Sequence, residues 1–275
     1  MSKKVLSNVN LSTIPATYSE KGFISPLNIC DAKQTMEIRR DFEAAELELE
    51  GDPERLSLLK KYPNQLLPSF SNLTRNNTLI EAASAVLGPD LLVWSASLFI
   101  KEKNSSKIVS WHQDLTYWGL DDIEETTCWF AISKANKASG CMKFVPGTHK
   151  TKIVPHTDTY AENNMLTRGQ EIAVNVNEEE AVFAELEAGQ ASMHHGLIFH
   201  SSGPNTTSDR RIGSAIRYIK PSMKQNTGDR SLVSLVSGKD HFGNFKVAEP
   251  PKGRLLDEDF ELCREDHELK KQLLF

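Results

Sequence analysis

Long apolar runs are missing from this 275-residue chain. No stretch approaches the roughly 18 consecutive apolar residues of a membrane-spanning helix. The opening residues, MSKKVLSNVNLSTIP, lack the apolar centre of a secretory signal. Cysteine is scarce: Cys30, Cys128, Cys141 and Cys263 lie far apart with no CxxC pair, which argues against a disulfide framework and for a reducing compartment. Excess positive charge is absent as well. Lys and Arg number 32 against 37 Asp and Glu, so the net charge of −5 provides no global basic field for nucleic acid. An acidic substrate would need a local cationic pocket. Internal repeats and low-complexity tracts are also absent. The expectation is a soluble cytoplasmic protein that acts on a small molecule, with neither membrane nor nucleic acid as partner.

What is present is the balance of an ordinary globular domain, 39% hydrophobic and 25% charged. Residues 1–90 read as mainly helical. Asp31 is a predicted N-cap for a helix through Glu50, with Met36, Ile38, Phe42 and Leu47 on its apolar side. Gly51 to Ser71, rich in Pro and polar residues, reads as an irregular connection. A second helix is predicted from about Thr78 to Leu87, ending at Gly88-Pro89. Residues 91–225 read as a β-core. The runs are Leu91 to Ile100, Thr126 to Ile132, Met142 to Val145, Glu171 to Val176, Val182 to Leu186, Ala191 to Phe199 and Ile212 to Ile219. Many short strands with Gly, Pro, Asn and Ser between them, and no alternating helices, indicate an antiparallel sandwich or jelly roll. Residues 226–275 form a C-terminal extension with a helix over Asp257 to Leu269. The whole chain is expected to be one domain, mainly β with flanking helices.

Two His-x-Asp triplets stand out, His112-Gln113-Asp114 and His156-Thr157-Asp158, although eight histidines and 37 acids make roughly one such pattern expected by chance. An iron site of two histidines and one carboxylate needs its ligands on one face of the metal, with positions left open for co-substrate and oxygen. Alternation along a strand lets residues i and i+2 both point inward. The third ligand must come from a late strand, with several strands between. The interval from His112 to His200 holds those strands; the interval from His156 is tight. His156 also follows a proline in a polar stretch, so it reads as a loop residue. For the distal ligand, SMHHGLIFHSSGPN offers His194, His195 and His200, and alternation puts His194 and His200 on one face. Arg211, eleven residues after His200 and beyond a predicted SGPN turn, separates them. A hairpin of that length returns Arg211 beside the metal, where it could clamp a carboxylate. Only one of Arg210 and Arg211 can point inward, and Arg211 is the expected one. His194 and His195 read as supporting groups, and Lys101 and Lys103 as a solvated strand end.

VSWHQDLTYWGL, SGCMKFVPGTHK and HHGLIFHSSGPN…RRIGSAIRYI together resemble the phytanoyl-CoA dioxygenase family of iron(II)/2-oxoglutarate oxygenases, over about residues 20 to 225. The resemblance implies a cupin-like double-stranded β-helix (jelly roll). It implies iron(II) on His112, Asp114 and His200, with 2-oxoglutarate and O2 as co-substrates. Arg211 would hold the far carboxylate of 2-oxoglutarate, with Ser202 and Trp118 touching the co-substrate. Related halogenases replace the ligand carboxylate with Ala or Gly, so Asp114 implies hydroxylation.

The substrate must be read from variable loops. The stretch VPHTDTYAENNMLTRGQE gathers Asn163, Asn164, Arg168 and Gln170, which suits a small polar or anionic molecule. WHQDLTYWGL and NMLTRGQE are most similar to bacterial oxygenases that hydroxylate aminoalkylphosphonates beside phosphorus. That branch implies 2-aminoethylphosphonate or its N-methylated form, with Arg168, Asn164 or Lys101 in contact. The alternatives are hydroxylation of an amino acid, a betaine or another natural product, a halogenase or oxidase, a zinc hydrolase, and a metal-binding cupin-like module without turnover.

Overall fold

The computed structural model describes residues 11–166 and 168–273. After a short 3-10 turn the chain forms α1 (Ile14–Lys21), β1 (Phe23–Asn28) and α2 (Ala32–Glu48). Next come α3 (Pro53–Lys61), α4 (Pro63–Leu66), α5 (Pro68–Thr74) and α6 (Asn77–Leu87). The strands follow as β2 (Leu91–Lys101), β3 (Val109–His112), β4 (Glu125–Ala131), β5 (Met142–Phe144), β6 (His156–Asp158) and β7 (Gln170–Ile172). Then come β8 (Val182–Ala184), β9 (Gln190–His194), β10 (His200–Ser202), β11 (Arg211–Ile219), β12 (Leu232–Ser237), β13 (Lys246–Val247) and α7 (Asp257–Leu273).

Local chemistry explains the helix starts. Asp31 caps α2 with a reciprocal pair, its carboxylate accepting from the Gln34 backbone while Gln34 accepts from the Asp31 backbone. Asn76 caps α6 by accepting from Thr78 and Leu79. The segment expected to be irregular instead folds into α3, α4 and α5. Pro53, Pro63 and Pro68 each stand at a helix start. A proline there lacks only an N–H that the first turn would leave unpaired, and its fixed φ suits the helix, so these prolines start helices and do not break them.

Seven strands form one sheet in the order β1-β9-β4-β11-β2-β12-β13, and four form another in the order β3-β10-β5-β8. Pairing is antiparallel except between β12 and β13. The large sheet reaches beyond residues 91–225, drawing β1 from the N-terminal part and β12 and β13 from the C-terminal segment. Alternation sorts its two faces. Ile212, Ile216 and Tyr218 of β11 and Cys128 and Phe130 of β4 pack with Phe42, Phe70, Leu79 and Phe260 of the helices. Trp129 and Ala215, on the opposite face, pack with Met142 and Phe144 of the small sheet. The site lies between the sheets. This is the jelly-roll arrangement expected from the strand pattern. Among the described residues no helix is long and apolar enough to cross a membrane, and the four cysteines are free.

The run Ala191 to Phe199 is not one strand. β9 ends at His194 in the large sheet and β10 begins at His200 in the small one. Gly196 makes the crossing: its N–H donates to Glu125, its carbonyl accepts from Leu115, and a Cβ there would lie 2.4 Å from the Glu125 carboxylate. His194 and His200 therefore approach from facing sheets, and strand alternation does not relate them.

Candidate active site

His112 closes β3, Asp114 opens the 3-10 turn Asp114–Thr116, and His200 opens β10. β3 and β10 are antiparallel neighbours with His112 opposite His200, and the two ring centroids are 4.0 Å apart. Each ring is fixed by its own backbone: Nδ1 of His112 lies 2.9 Å from the Ser110 carbonyl, and Nδ1 of His200 lies 3.0 Å from that of Ile198. A carbonyl only accepts, so the proton sits on Nδ1 and the Nε2 lone pair is free. Nε2 of His112 stands 3.2 Å, and Nε2 of His200 3.8 Å, from the same Asp114 Oδ1. With Nδ1 protonated, the lone pairs on Nε2 and Oδ1 face each other, an arrangement that calls for a cation between them. One donor atom from each residue fits within a 4.8 Å cluster. Two neutral imidazoles and one carboxylate, with open positions, are the donor set that suits iron(II).

Electrostatics keep these groups in their ligating forms. Burial alone would raise the Asp114 carboxyl, but its close approach to the His112 and His200 imidazoles and the charge of Arg217 hold it well below the usual range. Burial, reinforced by His112, pushes His200 down to about 4, so it is neutral at physiological pH.

Gln113, between two of these residues, is a fully engaged clamp. Its Nε2 donates to the Leu197 carbonyl at 2.9 Å and its Oε1 accepts from Val154 N at 2.9 Å. Its backbone N–H donates to His156 Nε2 at 3.2 Å. His156, expected in a loop, instead belongs to β6, with Nδ1 donating to the Val154 carbonyl at 2.8 Å and its ring edge-on to Tyr117. Both of its nitrogens are used.

A cavity runs from His112, Asp114 and His200 to Arg211, walled by Phe99, Trp129, Met142 and Ser202. Arg211 is 2% exposed and lines the cavity, with its guanidinium 5.1 Å from the centre of the Trp129 ring and its Nε without a partner among the described residues. Burial lowers its pKa to about 10. Arg210 faces the other way and pairs with Glu46 and Glu102. Lys101, read as a solvated strand end or a substrate contact, is fully buried directly across from Arg211. Burial and then the Arg211 charge push it down to about 6. Its three N–H groups meet three acceptors, Ser202 Oγ at 2.6 Å, the Ser202 carbonyl at 3.2 Å and the Gly203 carbonyl, which favour the ammonium and fix the Ser202 hydroxyl.

Three expected contacts lie elsewhere. Trp118 does not line this cavity; its ring packs 5.2 Å from Trp94 and 5.0 Å from the Arg217 guanidinium. Asn164 donates to Ser110 Oγ at 2.7 Å and lines an adjoining pocket, with Trp111 and Glu171, that shares Val109, Ser201 and Ser202 with the cavity. Arg168 lies over Tyr117 and pairs with Asp158 at 3.5 Å. Residues that sequence reasoning passed over do reach the cavity. Trp129 takes the place beside Arg211, and Gly213 makes room for it, because a Cβ there would lie 1.9 Å from the indole. Thr127 also lines the cavity, as does His194, which the sequence marked as a supporting group. The signal was alternation: Arg211, Gly213, Ala215 and Arg217 share one face of β11.

The family model for Phytanoyl-CoA dioxygenase (PhyH) matches residues 18–213. A "Probable phytanoyl-CoA dioxygenase" of Caenorhabditis elegans is 23% identical over 202 residues, covering 70% of this chain and 64% of the relative. A "Probable alpha-ketoglutarate-dependent hypophosphite dioxygenase" of Stutzerimonas stutzeri is 23% identical over 219 residues, covering 73% and 76%. The chain thus spans less than two thirds of the nematode relative's length. Among solved structures, the non-heme monooxygenase ThoJ superposes with a TM-score of 0.86 at 27% identity, over 95% of this chain and 97% of that one. With the family model spanning the jelly roll up to Gly213 and all of the His-Asp-His cluster, this chain belongs to the phytanoyl-CoA dioxygenase family.

Proposed function

We propose that this chain is an iron(II)/2-oxoglutarate-dependent dioxygenase that hydroxylates a small polar molecule. The observation that supports it most is the sharing of one cavity by three potential ligand side chains and a buried arginine that has no carboxylate partner among the described residues. His112, Asp114 and His200 would hold the metal, which when bound supplies the oxidising chemistry that couples loss of carbon dioxide from 2-oxoglutarate to hydroxylation. Arg211 would hold the far carboxylate of the co-substrate in a bidentate clamp. Ser202, oriented by Lys101, would donate to the same carboxylate. Trp129 would make the contact with the co-substrate that the resemblance implied for Trp118. The apolar walls exclude water, which strengthens each charge–charge contact.

The substrate we infer is 2-aminoethylphosphonate or its N-methylated form, hydroxylated at the carbon next to phosphorus. The relative named a hypophosphite dioxygenase supports a phosphorus oxyanion. The test is succinate release with iron(II), 2-oxoglutarate and oxygen across small phosphonates, betaines and amino acids. Stimulation by the aminoethylphosphonates supports this assignment. Stimulation only by betaines or amino acids moves the substrate class. Iron binding without any decarboxylation marks a metal-binding module.

A further inference from the structure

Four neighbouring strands carry a row of polar side chains across the inner face of the large sheet: His194 on β9, Thr127 on β4, Arg217 on β11 and Ser95 on β2. Thr127 is directly opposite His194, and Arg217 is directly opposite both Thr127 and Ser95. His194 and Thr127 are 1% exposed and Arg217 8%. Yet among the described residues both ring nitrogens of His194, Oγ1 of Thr127 and Nε of Arg217 have no hydrogen-bond partner. Buried polar atoms in folded proteins are nearly always paired, so a contiguous row of orphans marks a seat for something polar.

The charge of Arg217 says what kind. Among the described residues no carboxylate lies within 4.0 Å of it. Its hydrogen bonds to the described residues are long, 3.4 Å to Ser95 Oγ and 3.5 Å to Ser97 Oγ, and hydroxyls do not neutralise a guanidinium. Trp118 and Phe99 flank it with their rings at 5.0 and 5.9 Å. Of the two buried carboxylates that act on it from beyond ion-pair distance, Asp114 and then Glu125, Asp114 is a ligand in the reading above and Glu125 accepts from the Gly196 N–H. Arg211 lies on the same strand face six residues earlier, roughly 20 Å along a strand that rises about 3.4 Å per residue, so one short dicarboxylate cannot use both arginines. His194 ties the row to the metal ligands, its Nε2 3.9 Å from Asp114 Oδ2.

We propose that Arg217, with Thr127 and His194, seats an oxyanion of the primary substrate, a phosphonate or a carboxylate, at the other end of the β11 inner face from Arg211. This rests on the oxygenase reading and supplies its substrate class. Because His194 belongs to the row and also abuts Asp114, the carbon beside that oxyanion is the one brought nearest the metal.

The test is calorimetry on zinc(II)-loaded protein saturated with 2-oxoglutarate, which occupies Arg211 without turnover. The probes are methylphosphonate, acetate and the neutral acetamide. At least one anion should bind saturably and acetamide should not; which anion binds separates a phosphonate from a carboxylate substrate. R217Q should weaken anion binding roughly tenfold to a hundredfold while 2-oxoglutarate affinity stays unchanged. R217K should retain part of it, and T127V should weaken it less; these two carry the test should R217Q not fold. If 2-oxoglutarate binds and neither anion does, or if R217Q binds the anion as well as the parent, the inference is wrong and the oxygenase reading stands. If 2-oxoglutarate itself does not bind, both fall.

Discussion

His112 and His200 stand opposite each other across the β3–β10 pair, and each donates Nδ1–H to the backbone carbonyl two residues before it. The same local device on two strands leaves both Nε2 atoms converging on Asp114. Replacing His112 or His200 with Ala should abolish stoichiometric iron(II) binding, measured by metal content after gel filtration. Retention of a full equivalent in either variant would remove the site.

Gln113 ties the first two ligands to Val154 and Leu197, the latter in the connection that leads into His200. Gln113→Ala should leave the ligands present but loose. A supporting residue of this kind is worth about 10–100-fold in metal affinity, and competition with a chelator of known affinity reads that loss directly.

Gly213 is required by Trp129. Gly213→Ala places a methyl 1.9 Å from the indole, and overpacking of this kind costs about 1–3 kcal/mol. For a chain of this size the melting temperature should fall by roughly 2–4 °C per kcal/mol. Because Trp129 also flanks Arg211, 2-oxoglutarate affinity should fall with it.

His195 is pushed down to about 4 by burial and then by His149. Its folded value lies below the ordinary 6.5, so the unfolded chain takes up the proton first. Its contribution is intact above about pH 6.5 and is lost as pH falls toward 4, amounting to up to about 3 kcal/mol. Urea unfolding of the metal-free protein between pH 7 and 4 should show that slope together with one from His200, which burial also pushes down to about 4, and His195→Gln should reduce the total by its own share.

The Asp31 cap, the strand-rich centre and the meeting of His112, Asp114, His200 and Arg211 in one cavity were legible because each leaves a local mark: Asp31 before an amphipathic run, alternating short strands, and a fixed interval ending at Arg211. What was not legible depends on contacts distant in sequence. Pro53, Pro63 and Pro68 read as breakers because a helix start and a loop share the same residue. The switch of sheets between His194 and His200 hinges on Gly196 meeting Glu125, far away along the chain. Lys101 read as solvated because nothing near it in sequence announces Ser202 and Gly203 as acceptors. Trp118 and Trp129 are equally apolar as letters, and only the register of β4 against β11 brings Trp129, and not Trp118, to the cavity.

The most direct test of the site is calorimetric titration of 2-oxoglutarate into the protein under anaerobic conditions, with and without iron(II). One equivalent should bind to the iron-loaded protein, weaken greatly when the metal is removed, and fall roughly a hundredfold in Arg211→Met, as expected for losing a buried charge-assisted clamp. Arg210→Met, whose guanidinium pairs with Glu46 and Glu102 outside the barrel, should bind as the parent does. No binding to the iron-loaded protein, or binding indifferent to both metal and Arg211, would contradict the assignment.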